Sequence, residues 1–250
     1  MHILHKEKIK QHFNKASKTY NQHCALQTVV GKKLIETLLL TKKKSQCVID
    51  LGCGTGVVTA MLAQQLIFQR FQAIDIANHL LQQAQPLLIS QRVQTKHDDF
   101  DQLLFIPENY DIIFSNMALH WSVDIEILFK KLYSALMVDG VLAFSLPLIP
   151  TFCELKKHYR YDFYTVEEIQ YLLQLLPFRR ILHEINTITL LFASPLAALK
   201  SIKLVGANYV SGHEQTSLRG KSFAAECFEH IGASNACSLT YHIGYFIAEK

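Results

Sequence analysis

Apolar positions along this chain change their period from one region to the next. The opening 40 residues read as helical: Leu26, Val30, Leu34 and Leu38 recur every four positions, with Val29 and Thr37 beside them, and form a stripe on one face. Thr41 and the run Lys42-Lys43-Lys44 end it. From 46 to 146 short apolar runs alternate with helical patterns. Strand 48–51 leads into a helix from Val57, strand Phe71 to Asp75 into a helix over 78–89, and a third short strand covers Arg92 to His97. A fourth, Tyr110 to Ser115, precedes a helix over 122–136, and a fifth, Val141 to Ser145, follows an Asp139-Gly140 turn. Such alternation predicts an α/β fold whose parallel sheet is covered on both sides. Beyond Pro147 and Pro150 the rhythm changes. Short helices are expected near 152–159 and 165–175, the second opening at Thr165-Val166-Glu167-Glu168, a capping-box pattern. A long β-like segment, Arg180 to Phe192, alternates irregularly. A helix then runs from Pro195 through Leu204, another covers about 217–231, and Leu239 to Ala248 reads as a last strand. There is no internal repeat, low-complexity tract or linker long enough to separate two domains.

Composition narrows the class. At 250 residues, half of them hydrophobic, the chain can bury the core of one large domain. No uninterrupted apolar run approaches the ~18–20 residues of a membrane span, and the N-terminus lacks the apolar stretch of a signal peptide. Cys24, Cys47, Cys53, Cys153, Cys227 and Cys237 show neither CxxC nor zinc-ligand spacing, and read as reduced thiols of a cytoplasmic protein. No HxxxH or HExxH pair occurs, so no metal site is expected, and His5 and His12 are expected on an exposed polar helix. The net charge of +4 is too slight for the dense basic face of a nucleic-acid binder. Its local runs, Lys6, Lys8, Lys10, Lys15 and Lys18, then Lys42 to Lys44, are open to two readings: a solvated face, or steering toward an acidic protein partner.

Candidate chemistry begins at Val48-Ile49-Asp50-Leu51-Gly52-Cys53-Gly54-Thr55-Gly56. A buried strand runs here into a glycine-rich turn and then a helix, which places a ligand at the strand's carboxyl end beside a helix N-terminus. The spacing is GxGxG rather than the GxGxxG of dinucleotide enzymes, which disfavours a dehydrogenase. With Asp50 ending the strand, it resembles motif I of the class I S-adenosylmethionine (SAM) methyltransferases. Asp75, 19 residues after Gly56 at the end of the second strand, suits a carboxylate accepting both ribose hydroxyls, although such an Asp is also a common helix N-cap. After the third strand, Asp99 is the choice to accept an adenine amino group, with Ile76 and Phe100 packing on the ring; Asp98 or a plain turn remain open. Ser115-Asn116-Met117-Ala118-Leu119-His120-Trp121 closes the fourth strand at the same sheet edge. It is not the Asn-Pro-Pro-Tyr of methyltransferases acting on base or glutamine amino groups, which counts against nucleic acid. Trp121 fits a core role and a pocket role equally well.

Remote stretches name a family. Phe13-Asn14-Lys15-Ala16-Ser17-Lys18-Thr19-Tyr20-Asn21-Gln22-His23-Cys24-Ala25-Leu26-Gln27 resembles the F-x-x-A-x-x-Y-x-x-H-A-x-L-Q opening of the malonyl-acyl-carrier-protein O-methyltransferases, which begin pimelate assembly for biotin. The segment Ser115-Asn116 to Trp121 is similar to that family's S-N-x-x-x-x-W, and Leu199 to Ala207 and Leu239 to His242 also match. The resemblance implies a Rossmann-like class I fold: a seven-stranded, mostly parallel sheet whose last strand is antiparallel, with a helical lid. It implies a single domain over 1–250, with an N-terminal helical lid (1–45), a SAM-binding core (46–146) and a C-terminal part with lid helices and the last two strands (147–250). Asp50, Gly52, Gly54, Gly56, Asp75, Ile76, Asp99, Phe100 and Asn116 are expected at the cofactor, and Tyr20, His23 and Lys203 on the lid side, positioning substrate. Between Glu154-Leu155 and Phe163 the chain is several residues shorter than the family pattern, beside the acyl site.

The implied reaction is SAM-dependent methylation of the free carboxyl of malonyl-acyl-carrier protein, an acidic protein substrate, with no nucleic-acid or membrane partner. A carboxylate is already a nucleophile at neutral pH, so no general base is expected. Two alternatives stay open: a class I methyltransferase of another small carboxylate or a quinone-type ring, and a diverged, non-catalytic SAM-binding paralogue.

Overall fold

The computed structural model describes residues 2–159, 161–208, 220–231 and 236–250. Two helices open the chain, α1 (His2–His23) and α2 (Ala25–Thr41). The alternating region follows as β1 (Lys44–Leu51), α3 (Val57–Gln65), β2 (Ile67–Asp75), α4 (Asn78–Ser90), β3 (Gln94–His97), β4 (Tyr110–Asn116), α5 (Ile125–Ala135) and β5 (Leu136–Leu148). The C-terminal part adds α6 (Val166–Gln174), β6 (Arg180–Phe192), α7 (Pro195–Leu204), α8 (Gly220–Glu226) and β7 (Cys237–Glu249).

The strands form one seven-stranded sheet in the order β3-β2-β1-β4-β5-β7-β6. β1 to β5 pair in parallel, and β7 inserts antiparallel between β5 and β6. The expected fold, with its antiparallel last strand, is the observed one. Because β1 lies between β2 and β4, the strand order reverses there, and the carboxyl ends of these strands open a crevice. One face of the sheet packs on α2, α3 and α4, where Leu26, Val30, Leu34 and Leu38 are buried with Val48, Ile112 and Phe114. Each such side chain contributes roughly 1.5–3 kcal/mol on leaving water. Ile49, Ile113 and Phe144 face α5 and α6 on the other side.

Several expectations are corrected. Val29 is not part of the buried stripe and is 56% exposed, because the 3.6-residue turn carries it past the contact face. Asp139-Gly140 is not a turn before a strand. β5 begins at Leu136, directly after α5, and register shifts where Tyr110 pairs Leu136 but Ile112 pairs Val141, so Asp139 (φ 60°) and Gly140 lie in a bulge. No helix covers 152–159; turns lead to a bridge between Leu155 and Phe228 and a single 3₁₀ turn, Lys157–Tyr159. The helix expected from 122 starts at Ile125, after a 3₁₀ turn over Leu119–Trp121, since Asp124 caps it by accepting from Ile127 N at 2.9 Å. The helix expected over 217–231 is observed only as α8; 217–219 lie outside the described residues. His5 and His12 are half-buried rather than exposed, and His12 Nδ1 meets Asn208 Oδ1 at 3.0 Å. The capping box at Thr165 is present, with Glu168 N donating to Thr165 Oγ1 (3.1 Å) and Thr165 N to Glu168 Oε2 (2.7 Å).

Candidate active site

The turn after β1 is shaped by backbone that only glycine adopts without strain. Gly52 and Gly54 have φ of 80° and 57°, and a Cβ on Gly52 would stand 2.4 Å from Ala118 Cβ. Gly52 N and Cys53 N both donate to Ile74 O, at 2.9 and 3.0 Å, which ties the turn to the end of β2. There Asp75 accepts from Gly54 N (2.8 Å) and Ala77 N (2.7 Å). Burial raises the Asp75 carboxyl above its ordinary range, and these two N–H donors oppose the rise. Each oxygen keeps a free lone pair, so two ligand hydroxyls can still be accepted. Gly56 does not line the crevice; a Cβ there would meet Leu88 and Ala84 at 2.9 and 3.0 Å, so its place is in the packing of α3 on α4.

A cavity occupies the crevice. Gly52, Gly54, Asp75, Ile76, Phe100 and Asn116 form its sheet side. Lys6, Ile9, Phe13 and Tyr20, one face of α1, form its roof, and Met117, Ala118 and Trp121 close the far wall. Phe13 meets Trp121 edge-on with ring centroids 5.7 Å apart, so Trp121 serves the pocket. Asp98 and Asp99 border an adjoining groove with Ile76 and Val123.

A second, smaller cavity continues from the first, with Tyr20, Gly52 and Asn116 common to both. Asp50 and Gln27 line it, and each carries a buried oxygen, Asp50 Oδ1 and Gln27 Oε1, with no hydrogen-bond partner. Asp50 Oδ2 accepts from Thr59 Oγ1 at 2.6 Å, while burial pushes the carboxyl up to about 7. Two unsatisfied acceptors at one cavity fit a ligand ammonium group. Asn116 is held rigidly by Ser145 Oγ, which donates to its Oδ1 (2.8 Å), while its Nδ2 donates to Gln27 O (2.9 Å).

The roof is clasped to the sheet. Lys6 Nζ lies 3.1 Å from Asp99 Oδ1, 2.7 Å from Asp101 Oδ2 and 4.3 Å from the centre of the Phe100 ring. The same α1 is tied to α4 by His79 N donating to Asn14 Oδ1 and by Gln83 Nε2 donating to Ser17 O, both at 2.9 Å. Of the residues expected on the lid side, Tyr20 reaches the cavity, with its hydroxyl against Gly54 and pushed well up by burial. His23, the last residue of α1, and Lys203, on α7, are exposed and line neither cavity. Sequence reasoning missed Lys6, Ile9 and Gln27. Ile9, Phe13, Ala16 and Tyr20 share a helical spacing that the polar residues between them obscured, and nothing local marks Lys6 as buried. His120, next to Trp121, has a buried Nδ1 without a partner; burial lowers its imidazole to about 3, so it is neutral. Among the described residues no three His, Cys, Asp or Glu side chains converge on a metal position, and no helix is long and apolar enough to cross a membrane.

Comparison with known proteins gives this geometry a family. Residues 48–140 match the model described as "Methyltransferase domain". "Malonyl-[acyl-carrier protein] O-methyltransferase 2" of Coxiella burnetii is 36% identical over 245 residues, 98% of this chain and 96% of that protein. "Malonyl-[acyl-carrier protein] O-methyltransferase 1" of Ilyobacter polytropus is 27% identical over 270 aligned positions, 100% and 97% of the two chains. Among solved structures, phosphoethanolamine N-methyltransferase 2 of Haemonchus contortus in complex with SAM superposes with a TM-score of 0.63 at 16% identity, over 95% of this chain and 57% of that one. The last likeness concerns fold alone, but the match to the Coxiella protein covers 98% of this chain, and the chain belongs to the malonyl-[acyl-carrier protein] O-methyltransferase family of SAM-dependent methyltransferases.

Proposed function

We propose that this protein transfers a methyl group from SAM to the free carboxylate of a malonyl thioester carried on acyl-carrier protein. The observation that carries the reading, beside the family, is the chemistry of the cavity wall. Around the methyl-transfer space stand Phe13, Tyr20, Met117 and Trp121, none of them a base at neutral pH. Its carboxylate, Asp75, holds the glycine turn and keeps its remaining lone pairs for the ribose. This apolar and phenolic wall, among the described residues, suits an acceptor that arrives already ionised.

Bound SAM supplies a methyl carbon on a positive sulfonium, and the bond to sulfur breaks as the bond to a carboxylate oxygen forms. Asp75 is assigned to the ribose hydroxyls, Ile76 and Phe100 to the faces of the adenine, and Asp99 to its amino group. Asp50 Oδ1 and Gln27 Oε1 take the ammonium of the methionine part. Gly52 and Gly54 leave room for the backbone to approach it. Tyr20 stays a neutral phenol, because burial opposes its ionisation, and offers its O–H to the substrate carboxylate. Phe13 and Trp121 exclude water, so the oxygen can be held in line with the methyl, a positioning effect worth up to ~7–11 kcal/mol. Dry surroundings also keep the attraction between carboxylate and sulfonium unscreened. His23 and Lys203 stand at the surface, outside both cavities.

Incubation with SAM and malonyl-acyl-carrier protein, followed by mass spectrometry, should show one added methyl on the malonyl group. Methylation of a different acceptor, with malonyl-carrier protein left untouched, overturns the reading.

A further inference from the structure

The two lysine runs lie at opposite ends of the molecule, and only one lies near the site. Lys44 begins β1 and Gly52 follows its end, so the Lys42–Lys44 run is separated from the cavity by the whole strand, about 23 Å at ~3.3 Å per residue. Lys42 is also engaged there, donating to Asp139 O at 2.8 Å. The N-terminal lysines sit on α1, whose inner face roofs the cavity through Ile9, Phe13 and Tyr20. Its outer face exposes Lys8, Lys15 and Lys18.

α7 extends this surface. Thr19 Oγ1 donates to Leu204 O at 2.9 Å, and Gly206 (φ 76°) lies so close to α1 that a Cβ on it would stand 2.8 Å from Phe13 Cα. Lys200 and Lys203 are exposed on α7, which has no acidic residue. Setting aside Lys6, which faces Asp99 and Asp101, α1 and α7 hold six lysines against one acid, Glu7, a balance of +5. The helices packed beside them do not offset it. α4 has no Asp, Glu, Lys or Arg, and α8 has one Lys and one Glu.

We propose that the outer faces of α1 and α7, centred on Lys15, Lys18 and Lys200, dock the acidic carrier protein that presents the malonyl thioester. This deepens, and rests on, the methyl transfer inferred above. The carrier then sits one helix diameter, ~10–12 Å, from the cavity, and its thioester arm enters past the end of α1. Concentrated like charge on one face steers an oppositely charged partner and sets its orientation.

The test uses the full chain with Lys15→Glu/Lys18→Glu/Lys200→Glu, and Lys43→Glu/Lys44→Glu as the control at the far end. Binding of malonyl-carrier protein and methylation of both malonyl-carrier protein and a small malonyl thioester are measured at low and high salt. The triple variant should bind the carrier at least tenfold more weakly at low salt, with the gap closing toward high salt. SAM affinity and turnover of the small thioester should match the wild type, and the control should behave as wild type throughout. If the triple variant misfolds by circular dichroism, the Lys→Gln set at the same positions is measured instead. Wild-type carrier affinity in a folded variant overturns the docking surface alone, as does an equal loss with the small thioester or in the control. Wild-type protein that neither binds nor methylates malonyl-carrier protein overturns the underlying function, and this surface with it.

Discussion

At the residue scale, the two strand-end carboxylates are tuned for different work. Asp75 holds the glycine turn through Gly54 N and Ala77 N while keeping lone pairs for a ligand. Asp75→Ala should therefore abolish measurable SAM binding, since each charge-assisted hydrogen bond lost is worth ~1.5–3 kcal/mol, and should lower Tm as well because two backbone donors lose their acceptor. Calorimetry with unchanged SAM affinity would exclude the ribose assignment. Asp50 carries a pH signature. Its carboxyl is pushed up to about 7 in the free protein, so it is mostly protonated below that pH. An ammonium binds the ionised form and pulls the pKa down, hence SAM affinity should fall as pH drops through about 7. The limiting slope is about tenfold per pH unit. For folding the sign is opposite: the raised pKa favours the acid form, so this group's contribution is fullest below the ordinary 3.8 and is lost as pH rises toward about 7. Titrations of SAM from pH 8 to 5.5 (~2.5 units across that range) on wild type and Asp50→Asn would separate the two, the variant showing a flat profile. Tyr20→Phe should lower kcat on malonyl-carrier protein about tenfold or more, ~1.4 kcal/mol, with SAM affinity little changed; equal kcat would remove the phenol from the acceptor site.

At the scale of elements, the molecule depends on how α1 is fastened. The Lys6 ammonium between Asp99 and Asp101 is nearly buried, its side chain 10% exposed, so removing it leaves two carboxylates facing each other without their cation. Lys6→Met should loosen the roof: hydrogen exchange in α1 should speed up and SAM affinity fall about tenfold, ~1.4 kcal/mol. Unchanged exchange in α1 would show that Asn14, Ser17 and Thr19 suffice to hold it. α6 offers a contrast, because its cap was written in four consecutive residues and formed as written. Thr165→Ala should cost ~0.5–2 kcal/mol in chemical denaturation and leave SAM affinity untouched. That difference separates the elements read well from sequence from those read poorly. α6, β6 and α7 rest on local signals, a capping box, a long β-like run and a start at Pro195, and β6 and α7 match their expected limits residue for residue. The segment 152–159 has apolar residues at helix-like spacing, but Phe152, Tyr161, Phe163 and Tyr241 gather into an aromatic cluster instead, which tertiary packing rather than local propensity decides.

At the scale of the whole molecule, the order of strands places the glycine turn and the acids and Asn116 that follow the neighbouring strands on one edge. The glycine turn, Asp75, Asp99 and Asn116 lie up to 64 residues apart in the chain, and parallel pairing of β3, β2, β1 and β4 brings the carboxyl ends of these strands together. The sequence by itself determined this much, because a glycine turn, a strand-end acid and a period switching between two and 3.6 are local properties of the chain. What only the tertiary structure decided is what faces that edge. Lys6 is one lysine among five in α1, and its burial follows from the rotation of the helix about its axis against Asp99 and Asp101, nearly a hundred residues away. Gln27 and Asp50 share a cavity for the same reason, and Gly56 lies against Leu88 rather than the crevice because α4 packs there. Likewise, two similar lysine runs part company only when β1 sets its length between them. Helix rotation and packing depend on contacts between segments distant in sequence, and those energies are absent from any local pattern.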